Sequence, residues 1–325
     1  MERLFRYQIS QEIYDALAAR KMEKPDRKGR VLPVCAGDFL YLKRFSHALT
    51  AEIKRTEDGL KKNGTRIRVT EPVFPGDILE VRIIEETPRY IPVRPQKLPQ
   101  ILYEDEDILV INTCPGMPVH PSAGHREDTL ANAVAWMYMS DPARFTSFHC
   151  INRLDADTTG AVLLARNKYC AAILSEDMKQ RRISRTYEGI VRGRLYTSGV
   201  IDAPIARQEG SVILREVNTR RGERAVTHYT PLFHLPGEDL IYVSFRLETG
   251  RTHQIRVHTA YIGYPLLGDG LYGSKEDRSG SGIPSFNRQA LHASLLVFRH
   301  PVTEKPLCIH APLSRDMRAL LPGEW

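Results

Sequence analysis

LIYVSFRLE, residues 240–248, alternates without a break: Ile241, Val243, Phe245 and Leu247 are interleaved with Tyr242, Ser244 and Arg246. Side chains along a strand point to opposite faces in turn, so this pattern describes a strand in a sheet with one buried face. Working outward, RTYEGIVRG (185–193), AVTHYTPLF (225–233) and ASLLVFRH (293–300) read as further strands, and several have no helix between them. Parallel neighbours need a long crossover, usually helical, whereas antiparallel ones join by short turns. The fold expected is therefore α+β: a mixed, largely antiparallel sheet flanked by helices. ILVIN (108–112) and GAVLLARN (160–167) add two buried strands, and TLANAVAWMYM (129–139) an apolar helix. A second helix after residue 167 sets Cys170, Ile173, Leu174 and Met178 on one face.

The clearest seam in the chain is ETPRYIPVRPQKLPQ, with prolines at 88, 92, 95 and 99. Proline lacks the backbone donor and fixes φ, so this stretch is neither helix interior nor central strand. It divides the chain into a small N-terminal module (1–86), an extended linker (87–100) and a larger domain (101–325). A polar Gly/Ser-rich stretch, GSKEDRSGSGIPSFNRQ (273–289), reads as a surface loop. Within the module, residues 40–68 carry eight Lys or Arg against three Asp or Glu. A turn at Pro75-Gly76-Asp77 then leads into a strand alternating Leu79, Val81 and Ile83 with Ile78, Glu80 and Arg82.

Bulk composition excludes several classes. No apolar run approaches the roughly 20 residues that a membrane helix needs, and MERLFRYQIS does not read as a signal peptide, so a cytoplasmic location is expected. The five cysteines are scattered, with no CxxC pair, as ordinary thiols in a reducing compartment would be. A formal charge of +7 is a mild pointer to a polyanionic partner.

Three segments carry candidate chemistry. In INRLDADTTG (151–160), Asp155, Asp157 and Gly160 mimic the opening of a calcium loop. Such a loop ends in a bidentate glutamate at its twelfth position, which here is Arg166, so calcium is excluded. What remains is a carboxylate at a turn before a buried strand, suited either to bracing the turn or to meeting a substrate. RLETGRTHQIRVHTAYIGYPLLGDGLYG (246–273) places Arg251, His253 and Arg256 around the start of a helix from about Thr252 to Gly263. His253 and His258 are five apart, which does not align them for a metal, and they read as partly buried polar residues. GDGLYG matches a dinucleotide-loop pattern, but Pro265 precedes it and a Gly/Ser loop follows, so a nicotinamide cofactor is not supported. In RRISRTYEGIVRGRL (181–195), Tyr187 lies on a strand among five arginines and can either pack or stack beneath a base.

Together these segments resemble the RluA-type RNA pseudouridine synthases from about Ile101 onward. The family's H-R-L-D-x-x-T-[ST]-G stands here as Asn152 to Gly160, with Asn in place of the leading His. Its K-x-Y strand is Arg185-Thr186-Tyr187, its T-G-R-T-H-Q-I-R-V-H helix begins at Thr249, and its closing L-H-A…F-x-H-P strand is Leu291 to Pro301. The family's N-K-P-x-G turn appears as Asn112 to Gly116 without the lysine. Residues 40–84 also resemble the small RNA-binding module named after ribosomal small-subunit protein four.

The resemblance implies isomerisation of uridine to pseudouridine in structured RNA, with Asp155 as the nucleophile. It implies that Arg256 pairs with Asp155, that Tyr187 stacks on the uracil and moves a proton, and that Arg153 helps extrude the target nucleotide. RNA contacts are expected from Arg153, Arg251, Lys43, Arg44 and Lys54. Uridine isomerisation has no net redox change or group donor, so no cofactor and no metal are expected. Ribosomal RNA is expected ahead of transfer RNA, and a monomer ahead of an oligomer. The competing reading is a non-catalytic RNA-binding or ribosome-assembly factor. It leaves the joint presence of Asp155, Tyr187 and Arg256 without a purpose.

Overall fold

The computed structural model describes residues 2–23, 29–85, 90–122, 124–141, 148–236, 239–273 and 286–322. Pro88 of the expected linker and most of the expected Gly/Ser loop (274–285) lie outside the described residues. The chain divides into two compact units. One comprises residues 1–89, 141–149 and 165–176; the other comprises 90–140, 150–164 and 177–325.

The first unit is built on a four-stranded sheet in the order Glu2–Gln8, Ile78–Ile84, Leu60–Lys62, Thr65–Arg66. The first two strands pair antiparallel over their full length, Glu2 opposite Ile84 and Gln8 opposite Ile78. Leu79, Val81 and Ile83 are buried, as their alternation requires. Phe5, Phe39, Phe45 and Ile53 are buried in the same unit, Phe39 and Ile53 being supplied by the helices Ala36–Leu42 and His47–Arg55. Ser46 caps the second of these helices by accepting the amide of Leu49. The unit also takes up residues 165–176, well beyond the sequence boundary at 86. Tyr169 explains why. Its ring lies 4.4 Å from that of Phe45 and 4.9 Å from that of Phe5, and its hydroxyl donates to the Lys43 carbonyl at 2.7 Å.

The second unit holds a mixed sheet. Its order runs Gly199–Asp202, Val226–His234, Leu240–Leu247, Ser184–Arg192, Leu291–Arg299, Thr159–Ala165, Ile108–Thr113, Gln100–Glu104. The pairings from the first strand to the fifth are antiparallel, and Leu291–Arg299 runs parallel to Thr159–Ala165. The strand 240–247 is covered on both sides from Leu240 to Val243, where one buried face was expected: Leu240 and Tyr242 join Ile190 in a second apolar cluster, while the first face buries Ile241, Val243 and Phe245. These join Tyr187, Val191, Ile255 and Leu291 in one apolar cluster. Residues 90–98 are neither helix nor strand. They are fastened to the helix Leu130–Met137: Asn132 donates to the Ile91 carbonyl at 2.9 Å and its own carbonyl takes the Val93 amide. Among the described residues, no helix is long and apolar enough to cross a membrane.

His292 ties the parallel pair together. Its Nδ1 meets the Thr159 hydroxyl at 2.7 Å and its Nε2 the Ala311 carbonyl at 3.2 Å. A carbonyl only accepts, so Nε2 carries the proton and Nδ1 accepts from Thr159. Burial pushes this histidine from 6.5 down to about 4. Below pH 6.5 the unfolded chain takes up a proton that the folded one resists, so this contribution is complete above that pH and is lost towards pH 4. The loss by pH 4 should be about 3 kcal/mol. Urea unfolding at pH 7 and 4.5 should therefore show a smaller drop in stability for His292→Gln than for the parent. Equal drops would refute the assignment.

Candidate active site

The turn 151–160 is fixed from both sides before any catalytic question arises. Asn152 is buried, donates to the Ala161 carbonyl at 3.0 Å and accepts the Leu163 amide at 2.8 Å, so its side chain serves as an extra rung on the strand Thr159–Ala165. Gly160, at φ +115, closes the turn against the next strand. A Cβ there would lie 2.3 Å from the carbonyl oxygen of Ala293, which excludes every other residue. Asp157 is exposed, and the turn is held through its carbonyl, which accepts Arg288 at 2.9 Å.

Asp155 stands in this frame with its side chain 23% exposed. Arg256 reaches it from the helix Gln254–Tyr261, Nη1 lying 3.1 Å from Oδ2. The stronger anchor of Arg256 is another residue. Asp269 takes its Nε and Nη2 in a two-pronged pair at 2.8 Å each, with side chains 6% and 1% exposed. Asp269 also accepts the amides of Leu271 and Tyr272. The GDGLYG stretch is thus a turn built around a buried carboxylate. Burial works against both charges. On Arg256 the two aspartates outweigh it and raise its pKa, and on Asp269 the arginine outweighs it and holds the carboxyl below its ordinary range. A fork held bidentately by one carboxylate is pre-aimed at the other.

Tyr187 lies on Ser184–Arg192 opposite Phe245 and Ala293, 5% exposed, in the cleft that also holds Asp155. Burial raises its pKa, with Asp155 adding to the shift, so it stands as a neutral phenol. Arg185 donates to the Thr249 carbonyl at 3.3 Å and lies over Gly250, where a Cβ would come within 2.9 Å of Nη1. The cleft encloses about 890 Å³ and is lined by Arg153, Asp155, Tyr187, Arg251, His253 and Arg256 among others. That volume suits a single nucleotide.

The other expected RNA contacts divide. Arg153 is exposed at the cleft, whereas the Arg251 guanidinium is engaged by Glu223 and by the Arg224 carbonyl. In the first unit, Lys54 is exposed and lines a groove with Lys62, Arg66 and Arg68. Lys43 and Arg44 lie elsewhere, Lys43 over the Tyr7 ring and Arg44 donating to the Ile173 carbonyl at 3.4 Å. Asp105, Asp107 and His300 also gather closely in the second unit. Asp105, however, accepts Tyr103, His300 and the amides of Asp107 and Ile108, which fills its oxygens. That donor set fits a braced hairpin rather than a metal.

Sequence reasoning gave no role in the site to three residues of the cleft region, although it placed His253 in a candidate segment. Asp269 clamps Arg256, His253 has Nε2 3.9 Å from Asp155, and the Tyr272 hydroxyl meets His253 Nδ1 at 2.7 Å. The available signal was their place within the run 249–273, where each reads singly as a turn or packing residue.

A carboxylate steered by a buried arginine, in a nucleotide-sized cleft flanked by arginines and an aromatic ring, defines an enzyme acting on nucleic acid. A family model described as RNA pseudouridylate synthase matches residues 107–261. An uncharacterized RNA pseudouridine synthase of Bacillus subtilis, YjbO, is 40% identical over 281 residues, covering 86% of this chain and 95% of that protein. The ribosomal large subunit pseudouridine synthase D of Vibrio cholerae is 40% identical over 261 residues, 77% of this chain and 78% of its own. Human RNA pseudouridylate synthase domain containing 1 superposes with a TM-score of 0.56 at 26% identity, over 70% of this chain and 90% of that one. The chain belongs to the RNA pseudouridine synthase family, whose members isomerise uridine to pseudouridine in RNA.

Proposed function

We propose that this chain isomerises a uridine of ribosomal RNA, acting as a cytoplasmic monomer, with Asp155 as the nucleophile. The observation that carries the reading is the line of contacts Asp155–Arg256–Asp269 at a cleft that Tyr187 also lines. The choice of ribosomal RNA draws on the Vibrio cholerae relative, whose name specifies the ribosomal large subunit.

In the reaction the bond from uracil N1 to ribose C1′ breaks and a bond from C5 to C1′ forms. The C5 proton leaves and N1 gains one, so the sum is an isomerisation. Arg256 holds one oxygen of Asp155, which keeps the carboxylate oriented as the glycosidic bond opens. Tyr187 offers its ring to the detached base. As a neutral phenol it is not a free base; its hydroxyl relays the C5 proton by giving up one as it takes another. The base is unreachable while stacked, and the exposed Arg153 is suited to occupy the space that it leaves. The test is to map pseudouridines in ribosomal and transfer RNA from cells with and without this gene. One or a few ribosomal sites should disappear on deletion and return with the parent gene but not with Asp155→Asn. Loss confined to transfer RNA would overturn the choice of substrate.

The groove of Lys54, Lys62, Arg66 and Arg68 supports RNA binding by the first unit. Because Tyr169 belongs to that unit's core, its role is better tested by removing charge than by truncation. Each phosphate contact releases counterions, with a slope of about −0.7 in log K against log salt on single strands. Replacing Lys54, Arg66 and Arg68 with Gln should flatten that slope by roughly two and raise KM, leaving kcat unchanged. Identical slopes would mean that the groove is merely a solvated face.

A further inference from the structure

His253 lies at the cleft in a costly backbone geometry, and the reaction as described gives it no task. It stands just before the helix Gln254–Tyr261 at φ +58, a left-handed conformation that side-chain-bearing residues rarely adopt. The imidazole is mostly buried, and both of its nitrogens have partners in view. Nδ1 lies 2.7 Å from the Tyr272 hydroxyl, and Nε2 lies 3.9 Å from Oδ2 of Asp155.

Tyr272 decides which nitrogen carries the proton. Its oxygen accepts the backbone N–H of Arg215 at 2.9 Å. Burial raises its pKa, so the phenol keeps a proton to donate. With the oxygen occupied by that amide, the O–H points to His253 Nδ1, which then accepts. The proton of the neutral imidazole is left on Nε2, the nitrogen that faces Asp155. Burial also lowers the histidine's own pKa and favours the neutral ring. The charged groups around it are Asp155, Arg256, Arg215 and Asp269, two of each sign.

Resting on the reading of Asp155 as the nucleophile, we propose that His253 is a positioning residue. Its Nε2–H and Arg256 converge on the same oxygen of Asp155, fixing the carboxylate so that Oδ1 is the oxygen that meets the substrate. At 3.9 Å the hydrogen bond is not closed, and it forms as the cleft tightens on RNA, as catalytic hydrogen bonds commonly do.

Two substitutions separate this role from a structural one. Asn at 253 suits a left-handed φ and keeps an acceptor at the δ position for Tyr272, but it has no donor at ε. Gln carries an N–H at the ε position but fits the backbone less well. Backbone and stability therefore rank Asn above Gln, while the proposal ranks Gln above Asn in turnover. The assay is tritium release from ribosomal RNA labelled with 5-tritiated uridine and prepared from cells lacking this gene. His253→Asn should lower kcat by roughly 10- to 100-fold with KM little changed, the effect of one hydrogen bond to a charged group, and His253→Gln by much less. Tyr272→Phe should lower kcat in the parent but not on the His253→Gln background, because an amide has no tautomer to set. The proposal is overturned if kcat follows thermal stability, or if Tyr272→Phe acts equally on both backgrounds. Asp155→Asn, run alongside, separates the two failures. Turnover by that variant removes the reading of Asp155 and this inference with it, whereas an inactive Asp155→Asn beside indistinguishable Asn and Gln variants at 253 removes the inference alone.

Discussion

Asp155→Asn should lower pseudouridine formation by roughly 10⁴-fold or more, as loss of a catalytic nucleophile generally does. The substitution is nearly isosteric, and the local frame does not depend on the carboxylate. The turn is held by Asn152 on the strand amides, by the Asp155 carbonyl accepting Thr158, and by Arg288 on the Asp157 carbonyl. Arg256 keeps its bidentate partner Asp269, so no buried cation is orphaned. The variant should fold, bind RNA within a few-fold of the parent and fail at the chemical step. Fluorescence anisotropy on labelled ribosomal RNA and tritium release measure the two properties separately. Appreciable turnover with intact binding would show that the reacting group lies elsewhere in the cleft.

What could be read from the sequence follows from how local each cause is. The strand at 240–247 was legible from its alternating residue types, yet the structure buries both of its faces from Leu240 to Val243, because Tyr242 counts as polar in a pattern but packs as an aromatic ring. Asp155 and Arg256 lie 101 positions apart, and only the resemblance to a family joined them before the sheet did. Other features had no local cause. Tyr169 reads as one more helical residue after a strand, yet it belongs to the core of the first unit, because its partners Phe5 and Phe45 lie more than a hundred positions earlier. Lys43, Arg44 and Lys54 look equivalent in a count of basic residues. The fold sends Lys43 over a tyrosine and Arg44 to a carbonyl, leaving Lys54 to a groove with Lys62, Arg66 and Arg68. Arg251 and Arg256 share one motif, and only their partners distinguish them. Glu223 claims the first on the surface and Asp269 the second in the interior.

That last difference predicts the second large effect. Arg256→Met should abolish turnover and also destabilise the fold, because it strands the Asp269 carboxylate at 1% exposure. Breaking a buried pair from one side costs about 3–5 kcal/mol. Loss of activity in this variant alone would therefore say little about catalysis. Adding Asp269→Asn removes the stranded charge, so the double variant should regain much of the stability measured by urea unfolding while its activity stays lost. Asp269→Asn by itself leaves Arg256 paired with Asp155 but no longer held by two prongs, and should cost about 10²-fold in rate through misalignment of a preorganised charge. If Arg256→Met is as stable as the parent, the buried pair is not the anchor described. If the double variant regains turnover along with stability, Arg256 acts only on the fold. Recovery of stability without recovery of rate is the expected result, and it assigns the guanidinium to both tasks: Asp269 holds it, and it holds Asp155.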